Sequence, residues 1–302
     1  MPKLLLSFDF EDWHQLVHRR LGLADWDARG PALERQTDAI LALLDELGVK
    51  ATFFLLGMTA ERYPDLVREL GAHGHDLACH GYEHARVFQQ SSNAFRRDLE
   101  RSVELIESLT GRRPTGYRAP AFSINRDTIW AYETLCDLGF EYDSSQYDSP
   151  RIPNRIRPVP PQPYRLTLPS GREIWELPLT VWRVKGRAIP IGGGAYWRGL
   201  PASLLRRGLR QAADPYAVLY FHPYEVDPAP LKAALPEAPT AKQRLAAAGR
   251  GLQRNPGRRR IPERIRAIAQ EFPLVSYAEA YGEIVERNRA RPRSLSREGV
   301  LV

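Results

Sequence analysis

The stretch HGYEH at residues 80–84 sets two imidazoles, His80 and His84, four positions apart. At that spacing both can grip one metal ion. The pattern is not that of the helical zinc proteases, because Glu83 does not adjoin the first histidine. Three acids, Asp9, Glu11 and Asp12, close the apolar run KLLLSFDF near the N-terminus. Two neutral imidazoles and one carboxylate, with positions left open for water, form a recurring catalytic metal arrangement. A second carboxylate beside them can take a proton from the water. That combination is a metal-assisted hydrolase. Each part alone has a plainer reading. An acid after a strand commonly caps a helix, and a histidine such as His222 in YFHPYE commonly sits satisfied in a core.

The elements around these residues decide between the readings. KLLLSFDFE, KATFFLLG, HDLACHG, TGYRAPAFS, FEYDSS and YAVLYFHPYE read as strands. Between them lie helical patterns: ALERQTDAILALLDELGV closing on Gly48, YPDLVRELGAHG opening on Pro64, SNAFRRDLERSVELIESLTG, and RDTIWAYETLCDLG. This alternation predicts parallel βαβ units. Asp9, Glu11, Asp12, His80, His84, Arg118, Asp143 and His222 all follow strands. In a barrel of parallel strands those ends share one face, where active sites are built. The convergence carries more weight than any one motif. Between residues 147 and 200 the texture changes: SPRIPNRIRPVPPQPYRL is dense in proline, and LTLPSGREIWELPL reads as a hairpin inserted in the same domain.

Composition bounds the rest. The 302 residues are 43% apolar and 26% charged, ordinary for a globular chain. No apolar run approaches a bilayer span of about 18 residues, and the N-terminus lacks a signal-peptide pattern. A cytoplasmic location is the expectation. Two cysteines, Cys79 and Cys136, make no disulfide framework and are expected in the core. The net charge of +7 gathers toward the C-terminus. Without a stacking platform or nucleic-acid motif it predicts a solvated basic surface and no nucleic-acid partner. Residues 288–302 are expected to form a disordered basic tail after one domain spanning 1–287. His73 and His75 precede a strand and are expected to be structural, His14 follows the acids and is a candidate substrate contact, and His18 is expected at the surface.

SFDFED, HGYEH, RAPAFS, YDSS and LYFHPYE occur in the order and spacing of the NodB-homology polysaccharide deacetylases, carbohydrate esterase family four. The resemblance spans residues 3–285. GGGAYWR and ELPLTVW are similar to the branch linked to exopolysaccharide synthesis, and peptidoglycan deacetylase and allantoinase-like members lie near it. The resemblance implies a distorted (β/α)7-type parallel barrel with the Pro-rich hairpin inserted. It implies removal of N-acetyl groups from an amino-sugar polymer with one divalent metal ion, Zn²⁺ first and Co²⁺, Ni²⁺ or Mn²⁺ as substitutes. It implies Asp9 as general base, Arg118 as the cation that pairs with it, His80 and His84 as metal ligands, and His222 as general acid oriented by Asp143. The metal carboxylate is expected at Asp12, with Glu11 the alternative. Where the family has a tyrosine whose backbone N–H helps hold the oxyanion, this chain has Ala121. Phe122, Tyr82, Trp175, Tyr196 and Trp197 are the aromatic candidates for a sugar cleft, with Trp13 and Trp182 behind them. Gly192, Gly193 and Gly194 permit a lid, a cleft wall or a plain loop. Relatives in this branch are often multimers, so a homo-oligomer is a further expectation. Two rival readings remain at this level: a cyclic-amide hydrolase on the same metal site, and a catalytically silent carbohydrate binder.

Overall fold

The structure, a computed structural model, describes residues 2–23, 26–148, 153–213, 215–288, 292–296 and 298–301. The first half runs β1 (Lys3–Phe10), α1 (Trp13–Leu21), α2 (Leu33–Leu47), β2 (Thr52–Leu55), α3 (Gly57–Arg62), α4 (Pro64–Ala72), β3 (Asp76–Cys79), α5 (Ser92–Thr110), β4 (Gly116–Tyr117), α6 (Trp130–Asp137) and β5 (Tyr142–Asp143). The second half adds β6 (Tyr164–Thr167), β7 (Glu173–Glu176), β8 (Trp182–Val184), β9 (Arg187–Ile189), α7 (Gly194–Gly199), α8 (Ala202–Ala212), β10 (Tyr216–Phe221) and α9 (Pro223–Val226). It closes with α10 (Ala241–Arg254), α11 (Ile261–Ala269), β11 (Leu274–Val275), α12 (Tyr277–Asn288) and β12 (Pro292–Ser294).

Seven strands stand side by side in the order β10-β1-β2-β3-β4-β5-β7, every neighbouring pair parallel. This is the expected parallel α/β architecture. The ladder itself is open. The chain leaving β7 reaches β10 through irregular bonds: Thr180 N–H donates to Val218 O at 3.3 Å, and Val218 N–H to Thr180 Oγ1 at 2.6 Å. The expected hairpin is β6 against β7, antiparallel, with Leu166 opposite Ile174. The segment expected to be a disordered tail instead carries β12, which pairs in parallel with β6. Leu295 and Leu301 beyond it are 3% and 6% exposed, so apolar burial fixes a stretch whose charge had suggested solvation. Residues 289–291, 297 and 302 of that tail lie outside the described residues.

Period-two alternation sorts β1 into two faces. Leu4, Leu6, Phe8 and Phe10 pack outward with Ile40 and Leu44 of α2 and Phe53 of β2. Leu5 points inward, to Phe54, Ala78, Tyr142, Val218 and Tyr277. The inward row continues through Ser7 and Asp9, both of which meet Arg118. A row that starts apolar and turns polar toward the C-terminal end of the strand builds a dry floor under a charged mouth.

Candidate metal centre and catalytic cleft

Glu11 follows β1 in phase with Ser7 and Asp9, and a tight turn, Glu11 N–H to Asp9 O at 3.0 Å, keeps it at the mouth. Its Oε1 lies 3.1 Å from Nε2 of His80 and 3.0 Å from Nε2 of His84. His80 follows β3 directly. Its Nδ1–H donates to Arg118 O at 2.7 Å, which fixes the ring and leaves a lone pair on Nε2 in the neutral tautomer. His84 reaches the same point from a left-handed backbone position, φ 59°. Two imidazole nitrogens therefore converge on one carboxylate oxygen. Acceptor facing acceptor is unfavourable unless a cation or a proton lies between them. The donor set fits a divalent ion, and Glu11, His80 and His84 would hold it. Burial would raise the pKa of Glu11, but His84, His80 and His222 outweigh it and hold the carboxyl well below its usual range.

Asp12, the expected metal carboxylate, is elsewhere. It is out of phase with Asp9 and caps α1, accepting from His14 N–H at 2.9 Å. Its other oxygen accepts from Gly30 N–H at 2.9 Å and from Tyr63 O–H at 2.6 Å. Both oxygens are occupied in holding the α1–α2 connection, so the alternative, Glu11, is the carboxylate beside the imidazoles.

Asp9 lies beside this group, its Oδ2 4.0 Å from His80 Nε2. Arg118, at the end of β4 and fully buried, donates to Asp9 Oδ1 at 2.6 Å and to Ser7 Oγ at 3.0 Å. Its other nitrogens bond Ser144 O and Oγ and the Tyr277 hydroxyl, and the group lies 3.9 Å from the Phe54 ring centroid. Burial disfavours this cation, but Tyr277 and Asp9 outweigh it and raise its pKa. A guanidinium pinned on so many sides gives Asp9 one orientation.

His222 follows β10 and caps α9. Its Nε2 faces Glu11 Oε2 at 3.9 Å. Asp143 does not orient it. Asp143 is matched across the β5–β7 ladder with Glu176. It accepts from Ser145 N–H and Oγ–H. Burial raises the pKa of both carboxyls, so the pair keeps a proton and stays structural. Glu225 takes the role expected of Asp143, since Nδ1–H of His222 donates to its Oε2 at 3.1 Å. Burial would lower the pKa of His222, but Glu225, Glu11 and Asp9 outweigh it and raise it. Tyr224 stacks on the imidazole at 5.1 Å. Glu225 escaped the sequence reading, although its i,i+3 spacing from His222 in HPYE was visible as a reciprocal cap.

The aromatic candidates divide. Phe122 sits edge-on to Tyr147 and Tyr220, and Tyr220 lies 5.6 Å from His222. Ala121 beside it is exposed, and both residues hold positive φ, 54° and 55°. Two consecutive left-handed residues without glycine mark a strained turn facing the cleft. Tyr196 is half-buried. Three candidates belong to the packing instead. Trp197 is fully buried and donates to Ile191 O at 2.7 Å. Trp175 packs in the barrel interior with Tyr142. Tyr82 donates to Glu61 Oε2 at 2.6 Å under the Arg101 guanidinium. The triple glycine is a close-packed wall: a Cβ on Gly192 would fall 2.5 Å from Val218 O, and one on Gly194 2.2 Å from Glu225 Oε2. Cys79 is buried, its thiol pushed up to about 12 by burial.

Residues 26–141 match the polysaccharide deacetylase family, and residues 144–281 match a domain of unknown function, DUF3473. A peptidoglycan deacetylase-like protein of Gibberella zeae, FGM2, is 35% identical over 47% of this chain and 43% of its own length. A peptidoglycan deacetylase of Helicobacter pylori is 32% identical over 39% of each chain. This chain thus spans about two fifths of the length of those relatives. A solved Mycobacterium smegmatis protein, described as a polysaccharide deacetylase, superposes with a TM-score of 0.64. That match has 24% identity and covers 98% of this chain and 94% of that one. A PuuE allantoinase superposes at 0.57 with 16% identity over 96% and 91%. Residues 26–141 thus form a polysaccharide deacetylase domain by family match, and in fold and in the order of its strand-end motifs the chain is similar to the NodB-homology polysaccharide deacetylases, carbohydrate esterase family four.

Proposed function

We propose that this protein is a metal-dependent hydrolase that removes N-acetyl groups from an amino-sugar polymer or oligomer. The observation that carries the reading is the convergence of His80 and His84 Nε2 on Glu11, beside an Asp9 held by Arg118. Glu11, His80 and His84 would hold the ion, Zn²⁺ being the first expectation for two imidazoles and a carboxylate. When bound it supplies Lewis acidity toward the amide carbonyl and lowers the pKa of water.

The chain's own residues do the rest. Arg118 neutralises and aims Asp9, which takes the proton of the attacking water. The backbone N–H of Ala121, on its strained turn, faces the oxygen where negative charge develops. His222, its cationic form favoured by Glu225, gives its proton to the departing amine. Acetate and a free amino sugar result. Loss of Asp12 and Asp143 from the reaction changes none of these steps, because Glu11 and Glu225 stand in their places.

The test is acetate release from chitotetraose by Zn²⁺-loaded protein, beside ring opening of allantoin and metal-binding stoichiometry. The reading requires one equivalent of metal and acetate release that Asp9→Asn abolishes. Ring opening without acetate release transfers the site to cyclic amides. Absence of bound metal leaves a silent fold.

A further inference from the structure

Among the described residues only Leu204, Leu245 and Leu252 are exposed large hydrophobics, and the last two, at 77% and 78%, share helix α10. They stand seven residues apart, two turns along one side. At about 100° per residue, Ala241, Ala248 and Gly249 fall on the same stripe. The stripe therefore faces water, while only Ala247 of the helix is buried. Core packing does not explain this helix.

Its charges are equally one-sided. Residues 238–262 hold Lys242, Arg244, Arg250, Arg254, Arg258, Arg259 and Arg260 and no acid. Lys242 and Arg244 flank the stripe, both exposed, and neither has a carboxylate partner among the described residues. The excursion is nevertheless firmly seated. Arg258 bonds the carbonyls of Tyr224, Asp227 and Ala229, and Asn255 clamps Leu231 through both its oxygen and its nitrogen. It sits beside the cleft: Gln243 donates to Leu21 O on α1, and Arg254 lies over Tyr224, which stacks on His222.

We infer that α10 is a docking helix for an anionic lipid surface, with Leu245 and Leu252 entering the headgroup boundary and Lys242 and Arg244 meeting phosphates. An apolar stripe rimmed by cations is the pattern of helices that lie in that boundary, and polybasic segments add attraction to anionic lipid. A second copy seated on the same face would bring two unneutralised basic helices together, which their charge opposes. Docked this way, α10 lies between the membrane and Tyr224, because Arg254 and Gln243 project from the side opposite the leucines, and the metal cleft is held about one helix diameter from the lipid surface, near glycans attached to lipid.

The test is co-sedimentation of the full chain with vesicles of phosphatidylcholine alone and with about 30% phosphatidylglycerol, whose negative surface potential attracts polybasic segments. It needs no catalytic activity and so stands apart from the deacetylase reading. The expected result is binding to the anionic vesicles that high salt releases, at least tenfold above neutral vesicles. Leu245→Ser with Leu252→Ser should lower that partitioning about tenfold, as should Lys242→Glu with Arg244→Glu, with melting temperature unchanged for both. Binding that is indifferent to the two leucines overturns the inference. So does a wild-type dimer in light scattering that the leucine substitutions dissolve, which would assign the stripe to a second copy.

Discussion

Glu225 holds His222 twice: its Oε2 accepts from the backbone N–H and from Nδ1–H of the same histidine, at 3.1 Å each. The carboxylate thereby fixes both the start of α9 and the tautomer of the ring. Gly194 makes room for it, since a Cβ there would overlap the carboxylate. Position, tautomer and charge of the proposed acid thus depend on one side chain.

Glu225→Gln should therefore lower activity and move the basic limb of the pH profile to lower pH. The sign follows from the role: His222 must be protonated to act, and its pKa is raised by Glu225. Removing that charge lowers the pKa, so the acid form disappears earlier as pH rises. Loss of a hydrogen bond to a charged partner, about 1.5–3 kcal/mol, corresponds to roughly a 10–100-fold drop in kcat/KM above neutrality. Rate profiles of acetate release from pH 5 to 9 check it. An unshifted basic limb would leave His222 without this partner in the reaction.

Glu11 and Asp12 should separate cleanly. Glu11→Gln should reduce Zn²⁺ binding at least tenfold and abolish acetate release, measured by titration calorimetry and enzyme assay. Asp12→Asn should retain one equivalent of metal but lose stability, by about 1–3 kcal/mol in urea unfolding, from the lost cap and the Tyr63 bond. The reverse pattern would return the ligand role to Asp12.

Arg118→Met leaves Asp9 buried at 3% exposure without its cation. Breaking a buried pair from one side costs about 3–5 kcal/mol. Urea unfolding should show a loss of that size, and the turnover number should fall by about 100-fold or more as Asp9 loses its orientation. A stable, active variant would mean that the base is held by another group.

The Asp143–Glu176 pair predicts a pH-dependent stability with no effect on catalysis. Both folded-state pKa values are raised by burial. Stability from the retained proton is complete below the unfolded carboxyl pKa and is lost as pH rises through the folded one. Glu176→Gln imitates the protonated form at every pH. The difference in melting temperature between this variant and the wild type should grow in favour of the variant from pH 5 to 8. A flat difference would show that no proton is shared.

Sequence alone set the parallel βαβ order, the hairpin of β6 and β7, and the strand-end positions of Asp9, His80, His84, Arg118 and His222. These are local matters: strand periodicity, helix caps and the rule that parallel strands share a C-terminal face. Glu11 was also within reach, because period-two alternation puts it in phase with Ser7 and Asp9, whereas Asp12 belongs to the phase of Phe8 and Phe10. The expectation of Asp12 rests on resemblance, and strand phase decides against it. Glu225 was visible three residues after His222 and was passed over for a more distant acid.

Which acid meets which base was decided only by the tertiary structure. Asp143 lies at a strand end as expected, yet ladder register sets it opposite Glu176, and two buried carboxyls in contact keep a proton and each other. Trp175 and Trp197 carry the rings a sugar cleft would use, yet burial of that much apolar surface in the core outweighed display. The outward apolar stripe of α10 is equally invisible in one dimension, since a helical period shows that a face exists and not whether the fold covers it. Residue type and spacing fix what chemistry a chain can perform; long-range register and burial choose the partners.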